Sequence, residues 1–310
     1  MTSAAVDTEA VAVETRAASR PRRRKRRAKP SRVALHAFLI LTVLVWASPI
    51  LWAIFTAMRP YSDTSEHGYV SWPRAFNFTN FTNAYSQSGM LHYFWNSIIV
   101  AVPAIFVILL FSSALAFVVS RYSYWFNVPL LIFFMAANLL PPQVIITPLF
   151  RMYLALPLPT ILNERGLVYD SYVGIILIHI AFQLGFCTFV LSNYMKTLPR
   201  ELNEAALVDG ASVWRIYWAV ILPLTRPALA ALATLEVTWM YNDFFWALIL
   251  MRTPTKYPIT SALNNLQGQF FTDFNLLAAG SVMVALPTLL VYVLLQKHFV
   301  RGLTLGSTKG

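Results

Sequence analysis

Apolar residues in this chain run in long blocks instead of alternating with polar ones. Six blocks reach the length, about 20 residues, that a helix needs to cross the hydrocarbon core of a bilayer. They cover residues 33–58, 97–119, 126–150, 172–191, 228–251 and 276–299. The pattern predicts an all-α, polytopic membrane protein with six transmembrane helices. Pro141-Pro142 interrupts the third block, and Pro49, Pro103 and Pro287 fall inside others. Membrane helices tolerate such prolines where neighbouring groups satisfy the freed backbone. The blocks divide the chain into a tail (1–32), a first transmembrane helix (33–58), an external loop (59–96), a core of five transmembrane helices (97–299) and a short end (300–310). Within the core, residues 198–224 read LPRELNEAALVDGASVWRIYWAVILPL, polar enough to be solvated.

Composition agrees with the pattern. Hydrophobic residues make up 57% and charged residues 12% of the chain, against about 25% charge in soluble domains. Net charge is +11, and ten of the 24 Lys and Arg residues lie in the first 32 positions. With the N-terminus inside, the inner segments carry 18 Lys and Arg and the outer ones six. That bias places both termini, and the 198–224 segment, in the cytoplasm. The run RPRRRKRR at 20–27 resembles a nucleic-acid patch, but its place just before a membrane span makes it a topology signal. The first apolar block is nearly twice the length of a signal-peptide core, so it reads as a retained helix. The single cysteine, Cys187, excludes an intrachain disulfide and reads as a small hydrophobe.

The 198–224 segment has the local chemistry of two short helices. Pro199 suits a first helical turn, and Glu201 follows where a negative charge favours the helix dipole. Leu202, Ala205, Ala206 and Val208 can share an apolar side, and Gly210 reads as the C-terminal cap. Ser212 caps a second helix that Pro223 is expected to stop, with Thr225 capping the next span. The small pair Ala205-Ala206 beside Glu204 would let another surface approach closely. Two readings fit: a docking element for a partner, or an amphipathic helix lying on the membrane.

The spacing Glu204-Ala205-Ala206, three residues, Gly210, nine residues, Val220-Ile221-Leu222-Pro223 resembles the EAA loop of ABC importer permeases, E-A-A-x3-G-x9-I-x-L-P, with Val220 for Ile. Further motifs resemble the maltose-type, MalG-like carbohydrate permeases. They are Leu140-Pro141-Pro142-Gln143 with Ile146-Thr147-Pro148-Leu149, Asn242-Asp243-Phe244 with Tyr241 where Trp is usual, and Gly302-Leu303-Thr304 with Lys309-Gly310. The resemblance spans residues 52–310. It implies a MetI-like permease core in a bacterial inner membrane, importing a sugar or oligosaccharide. It also implies a second homologous permease subunit, an ABC ATPase dimer and an extracytoplasmic solute-binding protein. Carried onto this chain, the ATPase-coupling residues are Glu204, Ala205, Ala206, Asp209, Gly210, Leu222 and Pro223. The outer loops 59–96 and 252–275 are the expected surface for the binding protein.

None of the 11 glycines stands in a G-x-x-x-x-G-K-[ST] loop, so ATP and Mg are expected on a partner ATPase and no cofactor in this chain. Charges inside spans default to functional hypotheses. Glu236 and Asp243 are seven residues apart, which on one helix puts them within about 20° of each other and about 10 Å apart along the axis. Trp239 and Trp246 fall on the same side, and Asn242 adjoins Asp243. Indoles stack on sugar rings and carboxylates or amides bond hydroxyls, so these five residues are the candidate substrate pathway. The alternative is an interfacial tryptophan belt with acids paired to a partner subunit. The five histidines form no metal-ligand spacing, and His179 reads as a helix-packing residue. Gly174, Gly185 and Gly280 are expected to serve helix packing. Two acids about 10 Å apart cannot act on each other, which removes an intramembrane enzyme. No inverted repeat supports a secondary transporter. The outer loops carry no evident basic cluster for phosphate, which favours a neutral sugar over a glycerol phosphate.

Overall fold

A computed structural model of the chain describes residues 30–267 and 272–304. The basic run at 20–27 and the Lys309-Gly310 ending lie outside the described residues. The regular structure described is helical, with one isolated antiparallel bridge between Pro157 and Leu167. The chain divides into two units, residues 1–51 and 52–310. The first contains most of α1 (Pro30–Ala57), which exposes apolar side chains such as Phe38, Ile40 and Trp46, as a lipid-facing helix does.

The second unit contains the remaining helices. Two short ones, α2 (Tyr61–His67) and α3 (Thr79–Ser88), precede the long α4 (Met90–Arg121). Next come α5 (Asn127–Leu139), α6 (Ile146–Ala155) and α7 (Tyr172–Lys196). After them lie α8 (Glu201–Val208), α9 (Val213–Ile216), α10 (Leu222–Tyr241), α11 (Phe245–Leu250), α12 (Ile259–Ala262) and α13 (Phe274–Thr304). Five described helices are long and apolar enough to cross a membrane: Arg32–Ala57, Met90–Arg121, Tyr172–Lys196, Val213–Tyr241 and Phe274–Leu294. The sixth predicted crossing is a helix pair, Asn127–Leu139 and Pro142–Ala155, bent by 91°.

Two predicted spans therefore change shape. The 126–150 block is not one helix, because a residue before proline is pushed out of the α region. Leu140 and Pro141 take extended ψ angles of 127° and 126° and turn the chain. The 228–251 block starts earlier and stops sooner, running from Val213 to Tyr241. At its start, Pro223 does not end the helix. The turn Tyr217–Ile221 is π-helical, and the Leu222 N–H reaches back to the Tyr217 carbonyl. The wide turn places Pro223 at the start of a fresh α ladder, where its missing N–H is harmless. Thr225 caps nothing; its Oγ1 donates to the Ile221 carbonyl at 2.8 Å.

Small residues set the packing. α4 lies mainly against α7, and α10 against α13 and α4. Ala101, Ala104 and Ala116 of α4 meet Cys187, Leu191 and Met195 of α7 and Ala228 and Leu232 of α10 in one buried cluster. Hydroxyls buried among them bond within reach, as in the Ser113–Tyr217 pair at 2.8 Å. Without hydrophobic drive between helices in lipid, such close approach supplies the packing energy. The glycines contribute where expected. A Cβ at Gly185 would lie 2.7 Å from Phe134 Cβ, across the α5–α7 contact. One at Gly174 would lie 2.5 Å from the Val168 carbonyl oxygen. Because that neighbour is backbone, Gly174→Ala should destabilise the second unit by about 1–3 kcal/mol, read as a lowered thermal midpoint in detergent. An unchanged midpoint would show that the contact relaxes freely.

The connectors on one side of the bundle are tied by buried polar groups. Arg59 is 1% exposed and pairs with Asp63 at 2.9 Å while donating to the Gly68, Tyr69 and Ser71 carbonyls. Asn275 Nδ2 donates to Thr56 O and Arg59 O, fixing the start of α13 to the same loop. Asp170, fully buried at φ +59°, accepts from the Arg252 and Thr253 backbone N–H groups at 2.8 and 2.9 Å and from Thr253 Oγ1 at 2.6 Å. Lys256 Nζ donates to the Asp170 carbonyl and to Asn163 Oδ1. His92 and Asn96 of α4 hold Thr255 O from the other side.

Candidate functional site

The 201–208 segment forms an exposed helix between two packed ones. α7 ends at Lys196, and α8 contains no buried residue. Glu201 and Glu204 lie in its first turn, where their charge favours the dipole. Pro199 sits before that turn, since Arg200 takes the N-cap position. At the other end the Ala211 N–H bonds Ala206 O at 2.9 Å and the Gly210 N–H bonds Leu207 O at 3.0 Å. This 6→1 and 5→2 pair is a Schellman motif, which needs a left-handed residue at its centre. Gly210 supplies it, with φ +76°. Asp209 occupies the cap position, and Ser212 Oγ then accepts from the Arg215 N–H to start α9.

The predicted apolar side of α8 splits. Leu198, Ala206 and Ala211 pack against the buried cluster that α4, α7 and α10 share and that includes Met195, Ile216 and Tyr217. Glu204, Ala205, Leu202 and Val208 face outward, Val208 being 89% exposed. The helix therefore lies against α9 and presents an acid and apolar groups on its free side. Leu222 and Pro223 lie away from it, half-buried at the junction where the π turn becomes α10.

The five pathway candidates do not form one stripe. α10 stops at Tyr241, and Asn242-Asp243-Phe244 interrupts the helix before α11. Heptad spacing places two residues on one face only while the helix is continuous. Glu236 is fully buried on the α7 side, where its Oε1 lies 3.2 Å from Cys187 Sγ. Trp246 is buried with its ring 5.3 Å from Phe182, whereas Trp239 is half exposed against Phe186. Asp243 Oδ1 accepts the Trp246 N–H at 3.3 Å in the first turn of α11, whose N-cap residue is Phe244, and its Oδ2 lies 3.6 Å from His179 Nε2. Thr260 Oγ1 donates to the Asp243 carbonyl. Asn242 is exposed and Phe244 is 40% exposed. Asp243 thus faces His179 of α7 without a hydrogen bond between them, and Asn242 beside it is exposed. His179, read from sequence as a packing residue, is buried in α7.

The geometry can be set beside known proteins. Residues 108–305 match the family described as binding-protein-dependent transport system inner membrane component. A probable ABC transporter permease protein of Pyrococcus horikoshii is 32% identical over 281 residues, covering 87% of this chain and 97% of the relative. A diacetylchitobiose uptake system permease protein of Streptomyces coelicolor is 29% identical over 274 residues, covering 88% and 87%. A subunit in the crystal structure of a bacterial ABC transporter that imports the acidic polysaccharide alginate shares the fold, with a TM-score of 0.71 at 21% identity over 87% of this chain and 96% of that one.

Proposed function

Because the chain belongs to the binding-protein-dependent transport system inner membrane components, the permeases of ABC importers, we propose that it forms half of a translocation pathway for a sugar or oligosaccharide. In this reading α8 is the coupling helix. It sits in a groove of an ABC ATPase subunit that binds ATP and Mg, and a second, homologous permease subunit completes the pathway. An extracytoplasmic solute-binding protein delivers the solute to the opposite face. Both termini and α8 then lie in the cytoplasm, as the Lys and Arg distribution favours.

The observation that carries this reading is α8 itself. A helix of Glu201–Val208 with no buried residue, held by a Schellman turn and packed through Ala206 on the cluster shared by the spans, is suited to being pushed. ATP-driven closure of a partner would bias two states of the bundle through it. A carbohydrate substrate is supported by the named oligosaccharide permease among the relatives; glycerol phosphates are the alternative. The test is purification of the full chain from its native membranes. It should bring with it an ATP-hydrolysing subunit and a second permease of similar length. A chain that purifies without any ATPase would defeat the proposal.

Within the pathway we assign contact roles to Asn242 and Trp239, which are exposed, and supporting roles to Glu236 and Trp246, which are buried, and to Asp243, which is partly buried. Native Cys187 is fully buried, so introduced thiols can be probed over a low background. Asn242→Cys should react with a membrane-impermeant maleimide in the assembled transporter, and Trp246→Cys should not. The reverse order of reactivity would overturn the assignment.

A further inference from the structure

Beside α8 the chain encloses a second feature that the coupling role does not use. A cavity of about 340 Å³ lies between the end of α4, the following turn, the start of α5, the end of α7 and the approach to α8. Arg121, Lys196 and Arg200 line it, together with Tyr122 and Asn127, and no carboxylate is among the lining residues. Arg121 Nη1 donates to the Leu198 carbonyl at 3.2 Å. Its Nε and Nη2 atoms are buried and meet no hydrogen-bond acceptor among the described residues, and the Tyr122 hydroxyl is likewise without a partner among them. A buried guanidinium with two open donors is costly unless an acceptor is supplied. Three cations around one cavity ask for an anion.

The cavity continues into an apolar one. Val128 and Leu131 line both, and a second space of about 320 Å³ runs on past Ile132, Met135 and Leu139 of α5 to Phe189 of α7. From Val128 to Leu139 the helix rises about 17 Å, close to half of the roughly 30 Å hydrocarbon core. A basic head region opening into an apolar groove one leaflet deep has the chemistry of one ligand class. We propose that this site binds an anionic phospholipid, its phosphate between Arg121, Lys196 and Arg200 and an acyl chain in the groove between α5 and α7. Basic pockets between membrane helices on the cytoplasmic side are suited to such headgroups. The bound phosphate would also screen three like charges gathered at the root of α8. The inference rests on the membrane placement of these helices and not on the ATPase partner, so each can fail alone.

The experiment uses the full transporter reconstituted in nanodiscs of mixed phosphatidylglycerol and phosphatidylethanolamine, then extracted gently and analysed for retained lipid. Wild type should retain phosphatidylglycerol in excess over its share of the bilayer. Each basic group removed should lower that excess by about fivefold, so Lys196→Gln/Arg200→Gln, both at exposed positions, should nearly erase it while folding is unaffected. Arg121→Gln should act in the same direction. Leu131→Trp, filling the groove, should lower retention with the charges intact. Equal retention of the two lipids by wild type would overturn the proposal. So would full displacement of phosphatidylglycerol by millimolar inorganic phosphate, or a Leu131→Cys thiol that crosslinks to the second permease instead of to lipid.

Discussion

Gly210→Pro is expected to disconnect ATP hydrolysis from solute binding while the chain still inserts and folds. Gly210 has φ +76° and donates its N–H to Leu207 O at 3.0 Å. Proline fixes φ near −65° and has no N–H, so the Schellman turn cannot form and α8 leaves its seat. A Cβ at this position meets nothing within 4 Å, so the effect is one of backbone and not of crowding. The series follows from that. Gly210→Asn should be nearly silent, because Asn tolerates the left-handed region. Gly210→Ala should cost about 1 kcal/mol. Gly210→Pro should lower solute-stimulated ATPase activity on the order of tenfold or more, the scale of a typical coupling energy. Glu204→Lys should reach a similar loss by a different route, reversing a charge on the free face of α8. Glu204 is exposed, so its replacement should leave thermal stability within about 0.5 kcal/mol. Activity that is indifferent to both variants would remove α8 from the coupling path.

Asp170→Ala should produce the largest loss of stability. The fully buried carboxylate accepts three bonds from Arg252 and Thr253, and Arg165 Nε lies 3.2 Å away. Removing it strands two backbone N–H groups and one hydroxyl at the clamp between the α6–α7 connector and the segment after α11. Unpartnered buried groups cost about 1–3 kcal/mol each, and the half-exposed Arg165 adds little, so a loss of about 3 kcal/mol or more is expected. Alanine also accepts φ +59° poorly, whereas asparagine tolerates it, so Asp170→Asn should fall between. Burial by itself would raise the Asp170 carboxyl. The Thr253 and Arg252 hydrogen bonds and the Lys256 charge outweigh it and hold the group below the ordinary carboxylate value. A lowered folded-state value means stability present above the unfolded carboxylate range and lost as pH falls through the lower folded one. The wild-type thermal midpoint should hold through neutral pH and drop on strong acidification, and Asp170→Asn should flatten part of that acid limb.

Much of the fold could be read from the chain because lipid enforces one rule, long apolar helices, and leaves few alternatives. The span count, the helix Glu201–Val208, the Gly210 cap and the Ser212 cap all rest on local chemistry that tertiary contacts do not alter. The errors came where a local rule met a neighbour or a second rule. Pro223 reads as a helix stop, but a π turn at Tyr217–Ile221 absorbs it. Asp243 reads as an intramembrane charge on a heptad with Glu236, but it lies between α10 and α11, accepts the Trp246 N–H and faces His179. Neither residue has changed character; the helix they were projected onto ends at Tyr241. The basic cavity beside Arg121 was invisible in the sequence, because it joins Arg121 to Lys196 and Arg200 across some 75 positions through the packing of α4, α5 and α7.

The central claim is that α8 is the point where a motor outside this chain takes hold. A cysteine at Ala205, exposed on the free face of α8, tests it most directly when a short thiol-reactive crosslinker is applied to inside-out membranes of the assembled transporter. The account predicts a single major adduct with an ATP-hydrolysing subunit, its yield changing when ATP is bound. An Ala205→Cys thiol that couples to no such subunit, or that is labelled by an impermeant reagent added from outside the cell, would contradict it.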